Sequence, residues 1–163
     1  MRRQNPGLGR TQKSMITLHT ALLTALTLNL LWFGAGFHYF SLKPSSAAKV
    51  LVPKASRESP LFVTIAASVR FLGGMNFALA FFSLLLLANL DLFPDAKQIA
   101  LFCAVFAVAH GSQFYFNLPV AFGGGRKGES LWPVLFGPMR IIFVVDATLM
   151  VANAVLVVCF LRQ

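Results

Sequence analysis

The sequence predicts an all-α fold, an integral membrane four-helix bundle. Hydrophobic residues make up 57% of the 163 and charged residues only 12%, against about 25% charged in soluble domains. Four apolar stretches are each long enough to cross a hydrocarbon core of about 30 Å, which takes roughly 20 residues in a helix. The connections between them are short and carry most of the proline, glycine and basic residues. Little chain remains for a soluble domain, so residues 15–163 form a single four-transmembrane-helix unit behind a tail.

Residues 1–14 contain Arg2, Arg3, Arg10 and Lys13 with Pro6 and read as a flexible basic tail. The first span, about 15–40, is far longer than the roughly 7–15 residues of a signal-peptide core, which predicts an uncleaved helix. Trp32, His38 and Tyr39 near its end suit the aromatic belt at a membrane interface. Residues 41–60 hold Pro44, Pro53 and Pro60. Pro44 stops the first helix, and Pro60 suits the first turn of the next.

The second span runs over about 61–87. Asp91, Pro94 and Asp95 then mark a tight turn with a helix N-cap, which makes spans two and three antiparallel neighbours. The third span covers about 98–120 with Pro119 at its end, a glycine-rich loop follows, and the fourth span covers about 138–161. Four spans place both termini on one side. Six Lys and Arg lie on that side and six on the other, with Arg70 and Arg140 within or at the edges of spans, so the positive-inside rule is nearly balanced. The basic tail tips the expectation to cytoplasmic termini in a multi-pass protein of the cell membrane.

The net charge of +9 is spread over short segments flanking the spans. This points to anionic membrane lipids as partners and excludes nucleic acid, since the spans leave no room for a reading module. Cys103 and Cys159 sit in apolar runs as small hydrophobes, and no metal-ligand spacing occurs. The stretch GGGRKGES has the spacing of a phosphate-binding loop, but Glu129 stands where the lysine must be.

Polar groups inside the spans carry the functional signal. A charge at the bilayer centre costs at least about 2.5 kcal/mol on insertion scales, so Arg70 and Asp146 require compensation. At about 100° per residue, His110, Gln113 and Asn117 share one arc of span three with Cys103. Asp146 and Asn153 share one arc of span four. Ala25, Asn29, Trp32 and Gly36 supply a matching face of span one. The simplest expectation is an Arg70–Asp146 ion pair, with Asn29, Gln113, Asn117 and Asn153 bonding across helices. The alternative is a cavity among these groups that binds the polar end of a quinone, a sterol-like molecule or a lipid. Catalysis would use His110 and Asp146 as an acid–base pair, as in an isomerisation, with Arg70 stabilising negative charge.

The stretches RFLGGMN, AHGSQFYFNLP and LWPVLFGPMRIIFVVDA together resemble a group of small uncharacterised four-span bacterial membrane proteins. In size and span count the chain is also similar to the DoxX-like family, associated with quinone-linked oxidoreductases, and to four-helix scaffolds of sterol enzymes. That resemblance is one of architecture. The expectation from the spans and their polar core is an accessory or interaction subunit of a bacterial inner membrane, with a membrane-protein partner possible and no cofactor expected, a quinone or lipid being the alternative ligand.

Overall fold

The structure is a computed structural model that describes the backbone of residues 6–123 and 132–163, with side chains from residue 15 onward. Residues 1–5 of the basic tail and most of the GGGRKGES stretch lie outside the described residues. Helix α1 spans Pro6–Phe37, α2 Pro44–Leu51, α3 Leu61–Ala88, α4 Ala96–Phe122 and α5 Gly137–Leu161. Four of these are long and apolar enough to cross a membrane, the first as Met15–Leu42 because α1 continues into a π-helical turn over His38–Leu42. No strand occurs among the described residues.

Two boundaries differ from the sequence expectation. The tail read as flexible is helical from Pro6, since a proline at the first helical position loses no bond that the helix needs. The third helix passes through Pro119 to Phe122, where the missing amide disturbs only the last turn. Elsewhere the local signals act as read. Pro44 opens α2, and Asp95 caps α4 by accepting from the Lys97 amide at 2.8 Å.

The bundle is built from two close pairs, α1 with α3 and α4 with α5. Glycines allow the first approach. A Cβ on Gly73 would stand 2.6 Å from the Ser41 amide nitrogen, and one on Gly36 would stand 2.6 Å from Asn76 Oδ1. Small residues at such crossings let backbones pack in lipid, where hydrophobicity gives helices no reason to prefer one another. The pairs join through buried Leu26, Phe33, Leu86, Cys103, Phe106 and Leu156. Helices α3 and α4, the expected antiparallel neighbours, meet through rings: Phe82 lies 5.7 Å from Phe102 and 5.5 Å from Phe106. The α1–α5 seam is looser and remains a groove.

The offset between α1 and α3 sets the membrane frame. Ser41 Oγ donates to the Arg70 carbonyl at 3.3 Å, so Arg70 is level with the end of the first span. It stands about 27 Å from the Ala88 end of α3 at 1.5 Å per residue, close to the far boundary of a core of about 30 Å. The first turns of α3 therefore project beyond α1. Helix α2 lies against α3 with Ala47 and Ala48 buried. Arg57 closes its C-terminus by donating from Nε to the Val52 carbonyl and from Nη2 to the Lys49 carbonyl.

Candidate functional site

The polar residues that helical spacing placed on inner faces of α1, α4 and α5 meet in one buried cluster. It is rooted in a backbone carbonyl. Asn153 Nδ2 donates to the Leu149 carbonyl of its own helix at 2.8 Å, which fixes which end of this amide is nitrogen. Its other Nδ2 hydrogen goes to Asn29 Oδ1 at 3.2 Å, and Asn29 Nδ2 donates back to Asn153 Oδ1 at 3.1 Å. Asn29 thus presents an oxygen to His110 Nε2, 3.1 Å away. Because amide oxygen only accepts, Nε2 carries a hydrogen.

The consequence falls on Asp146. His110 Nδ1 lies 2.9 Å from Asp146 Oδ1. Two acceptors do not approach so closely, so a further proton sits between them. Whichever atom holds it, the pair is neutral as a whole, which is the arrangement that a low-dielectric interior tolerates. Trp32 Nε1 donates to the same Oδ1 at 3.0 Å. Phe33 stacks on the imidazole, its ring 4.6 Å away. His110 and Asp146 are 0% and 1% exposed. Asp146 Oδ2 is the one buried side-chain oxygen or nitrogen among the described residues without a partner.

The remaining expected members lie elsewhere. Arg70 is exposed at the bundle's edge and forms no ion pair with Asp146. Depth counted from Leu61 places Arg70 too far into the membrane, because the first turns of α3 project beyond α1. The compensating group is His110, with the Trp32 indole beside it. Asn117 donates to the Gln113 carbonyl of its own helix and accepts from Trp132 Nε1 at 2.8 Å, tethering the chain just before α5.

Gln113 lines a separate cleft one turn beyond His110. Trp32, Gly36, Tyr39 and Phe40 of the first span, Asn76 of α3, Gln113 of α4 and Pro138, Ile141 and Ile142 of α5 surround about 220 Å³. All four membrane-crossing helices meet there. Asn76 is 5% exposed and donates Nδ2 to the Leu72 carbonyl at 2.8 Å. Its Oδ1 and the Gln113 side-chain amide have no partner among the described residues. The Tyr39 hydroxyl is occupied, donating to the Ser46 carbonyl at 3.1 Å. No charged residue among the described residues lines the cleft.

Sequence reasoning missed two of these roles. Trp32 had been read also as an interfacial ring, and it is the donor that Asp146 uses. Asn76 follows Gly73 by one helical step on the stripe that includes Ala66, Ala80 and Ser83, all buried. That spacing is its signal. No group of three or more potential metal ligands occurs among the described residues. No family model matches the chain, and neither a curated protein nor a solved structure matches it.

Proposed function

We propose that this membrane protein acts by binding, as an accessory protein that holds the uncharged polar end of a hydrophobic molecule in the cleft beside its polar cluster. The observation that carries this reading is the convergence on one cleft of the unpartnered amide oxygen of Asn76 and the free Gln113 amide, inside walls that are otherwise aromatic and aliphatic. An apolar pocket with a few convergent polar groups is how proteins orient lipophilic ligands. The His110–Asp146 pair serves as an internal lock. Both imidazole nitrogens are engaged within the protein and neither residue opens onto the cleft, which argues against acid–base chemistry on a substrate.

The test is mass spectrometry of molecules that copurify from native membrane. A lipophile present in the wild-type protein should be lost from a folded Asn76→Leu/Gln113→Leu variant and kept in Arg70→Gln. Retention of the same molecules by both variants would sink the reading.

The orientation follows a separate argument. With Arg70 and Arg140 at the loop-side boundary, eight of the fourteen Lys and Arg residues lie on the side away from the termini. This favours cytoplasmic loops and external termini, against the sequence expectation. A C-terminal alkaline phosphatase fusion should be active in bacterial cells, and an inactive, well-expressed fusion would reverse the assignment.

A further inference from the structure

The cleft does not end at Trp32. The same indole walls a second space of about 350 Å³, with Leu28, Leu31, Val145, Thr148 and Leu149. Leu28 and Leu149 in turn border a third, of about 680 Å³, which reaches Ile16 on α1 and Val155 and Leu156 on α5. Each space shares residues with the next, so the three lie in a row along the loose α1–α5 seam.

Building on the binding reading above, we infer that the cleft and seam form one site for a long isoprenoid chain carrying an uncharged carbonyl or hydroxyl head. The head lies between Asn76 and Gln113. The chain runs down the seam past Trp32, Leu28 and Ala152.

Three observations select this occupant. Among the described residues the cleft offers neutral donors and acceptors and no cation, so a phosphate head would be buried there without a countercharge. From Phe40 to Ile16 the groove extends about 36 Å at 1.5 Å per residue. A phospholipid chain ends near the midplane, about 15 Å down in a core of about 30 Å, whereas a long isoprenoid continues. A partner helix, about 10 Å across, could lie along the lower seam but could not enter the cleft. The threonines of the seam do not compete for the ligand's polar end. Thr20 and Thr24 each donate to the carbonyl four residues back in α1, and Thr148 does the same in α5.

The experiment uses the full chain in phosphatidylcholine nanodiscs, with Trp132→Phe so that Trp32 is the reporting indole. The probes are a long-chain isoprenoid benzoquinone, its short-chain analogue and dioleoyl phosphatidylglycerol, with quenching of Trp32 fluorescence followed for the quinones and competition for the lipid. The long-chain quinone should bind at least about tenfold more tightly than the short one, and the phosphatidylglycerol should not displace it. Ala152→Phe, which fills the seam, should bring the long-chain affinity down to that of the short chain and leave the short-chain affinity unchanged.

Equal affinities for the two quinones, both weakened by Asn76→Leu, would overturn the seam as a chain site while keeping the cleft as a head site. No saturable quenching by either quinone would overturn both. Displacement by phosphatidylglycerol would overturn the isoprenoid assignment. Disulfide capture between two Thr24→Cys copies, abolished by no quinone concentration, would assign the seam to a second copy and overturn it as well.

Discussion

Asn29 and Asn153 exchange a reciprocal pair of hydrogen bonds across 124 residues of sequence, and Asn29 alone of the two also receives the imidazole of His110. The two substitutions are therefore unequal. Asn29→Leu leaves His110 Nε2 without a partner and Asn153 with only its bond to the Leu149 carbonyl, and should destabilise the protein by about 1–3 kcal/mol. Asn153→Leu leaves Asn29 Oδ1 still bonded to His110 and should cost less, nearer the roughly 0.6 kcal/mol typical of interhelical bonds in membranes. Unfolding in mixed micelles by added dodecyl sulfate measures both. Equal losses would mean that Asn29 is not the junction.

The carboxyl of Asp146 meets the Trp32 N–H and the proton it shares with His110 at one oxygen. An amide in its place fails whichever way it turns. Nitrogen would face the Trp32 N–H, and oxygen would leave His110 Nδ1 to supply a second proton without a countercharge. Asp146→Asn should therefore destabilise by about 1–3 kcal/mol. Adding Trp32→Phe removes the opposing donor and lets the new amide donate to His110, so the double variant should be more stable than the sum of the singles predicts. Strict additivity would refute this account of Oδ1.

Gly73 and Gly74 are adjacent and face different surroundings. A Cβ at Gly73 meets the backbone of Ser41, which cannot turn aside, whereas one at Gly74 meets nothing within 4 Å. Gly73→Ala should push α1 and α3 apart and lower thermal stability in detergent. Gly74→Ala should leave it unchanged or raise it by at most about 1 kcal/mol, the gain in helix propensity. The same response from both would remove the close crossing.

Arg70 lies at the interface level and not in the polar cluster. Arg70→Gln should change stability by less than about 0.5 kcal/mol, as surface substitutions do. Combined with Asp146→Asn it should add without coupling, since distant sites without shared partners behave independently. A coupling above about 1 kcal/mol in the unfolding cycle would restore the ion pair.

The four spans were legible because length and hydropathy report directly on crossing a bilayer. The inner faces of α4 and α5 were legible from helical spacing, which put His110, Asp146 and Asn153 inward along with Asn29. What spacing does not carry is the vertical offset of one helix against another. The Ser41–Arg70 contact sets that offset, and with it Arg70 moves from mid-membrane to the boundary. Nor does spacing distinguish an aromatic ring that floats at the interface from one that reaches inward, and Trp32 is the second kind. The cleft depends on the convergence of all four spans, so no single stretch announces it; Asn76 is visible only once Gly36 is known to face it.

The root of the cluster in the Leu149 carbonyl also has a bearing on how the protein is made. Chains enter the membrane from the N-terminal end, so α5 leaves the ribosome after α1 and α4. Until it arrives, Asn29 and His110 have each other but the indole N–H of Trp32 has nothing to bond. With α5 come Asp146, Asn153 and the carbonyl that orients them all. Helix α5 therefore completes a circuit begun 124 residues earlier, and a nascent chain stalled before it would leave the Trp32 indole N–H unmet in the bilayer, at the cost that an unsatisfied polar group carries there.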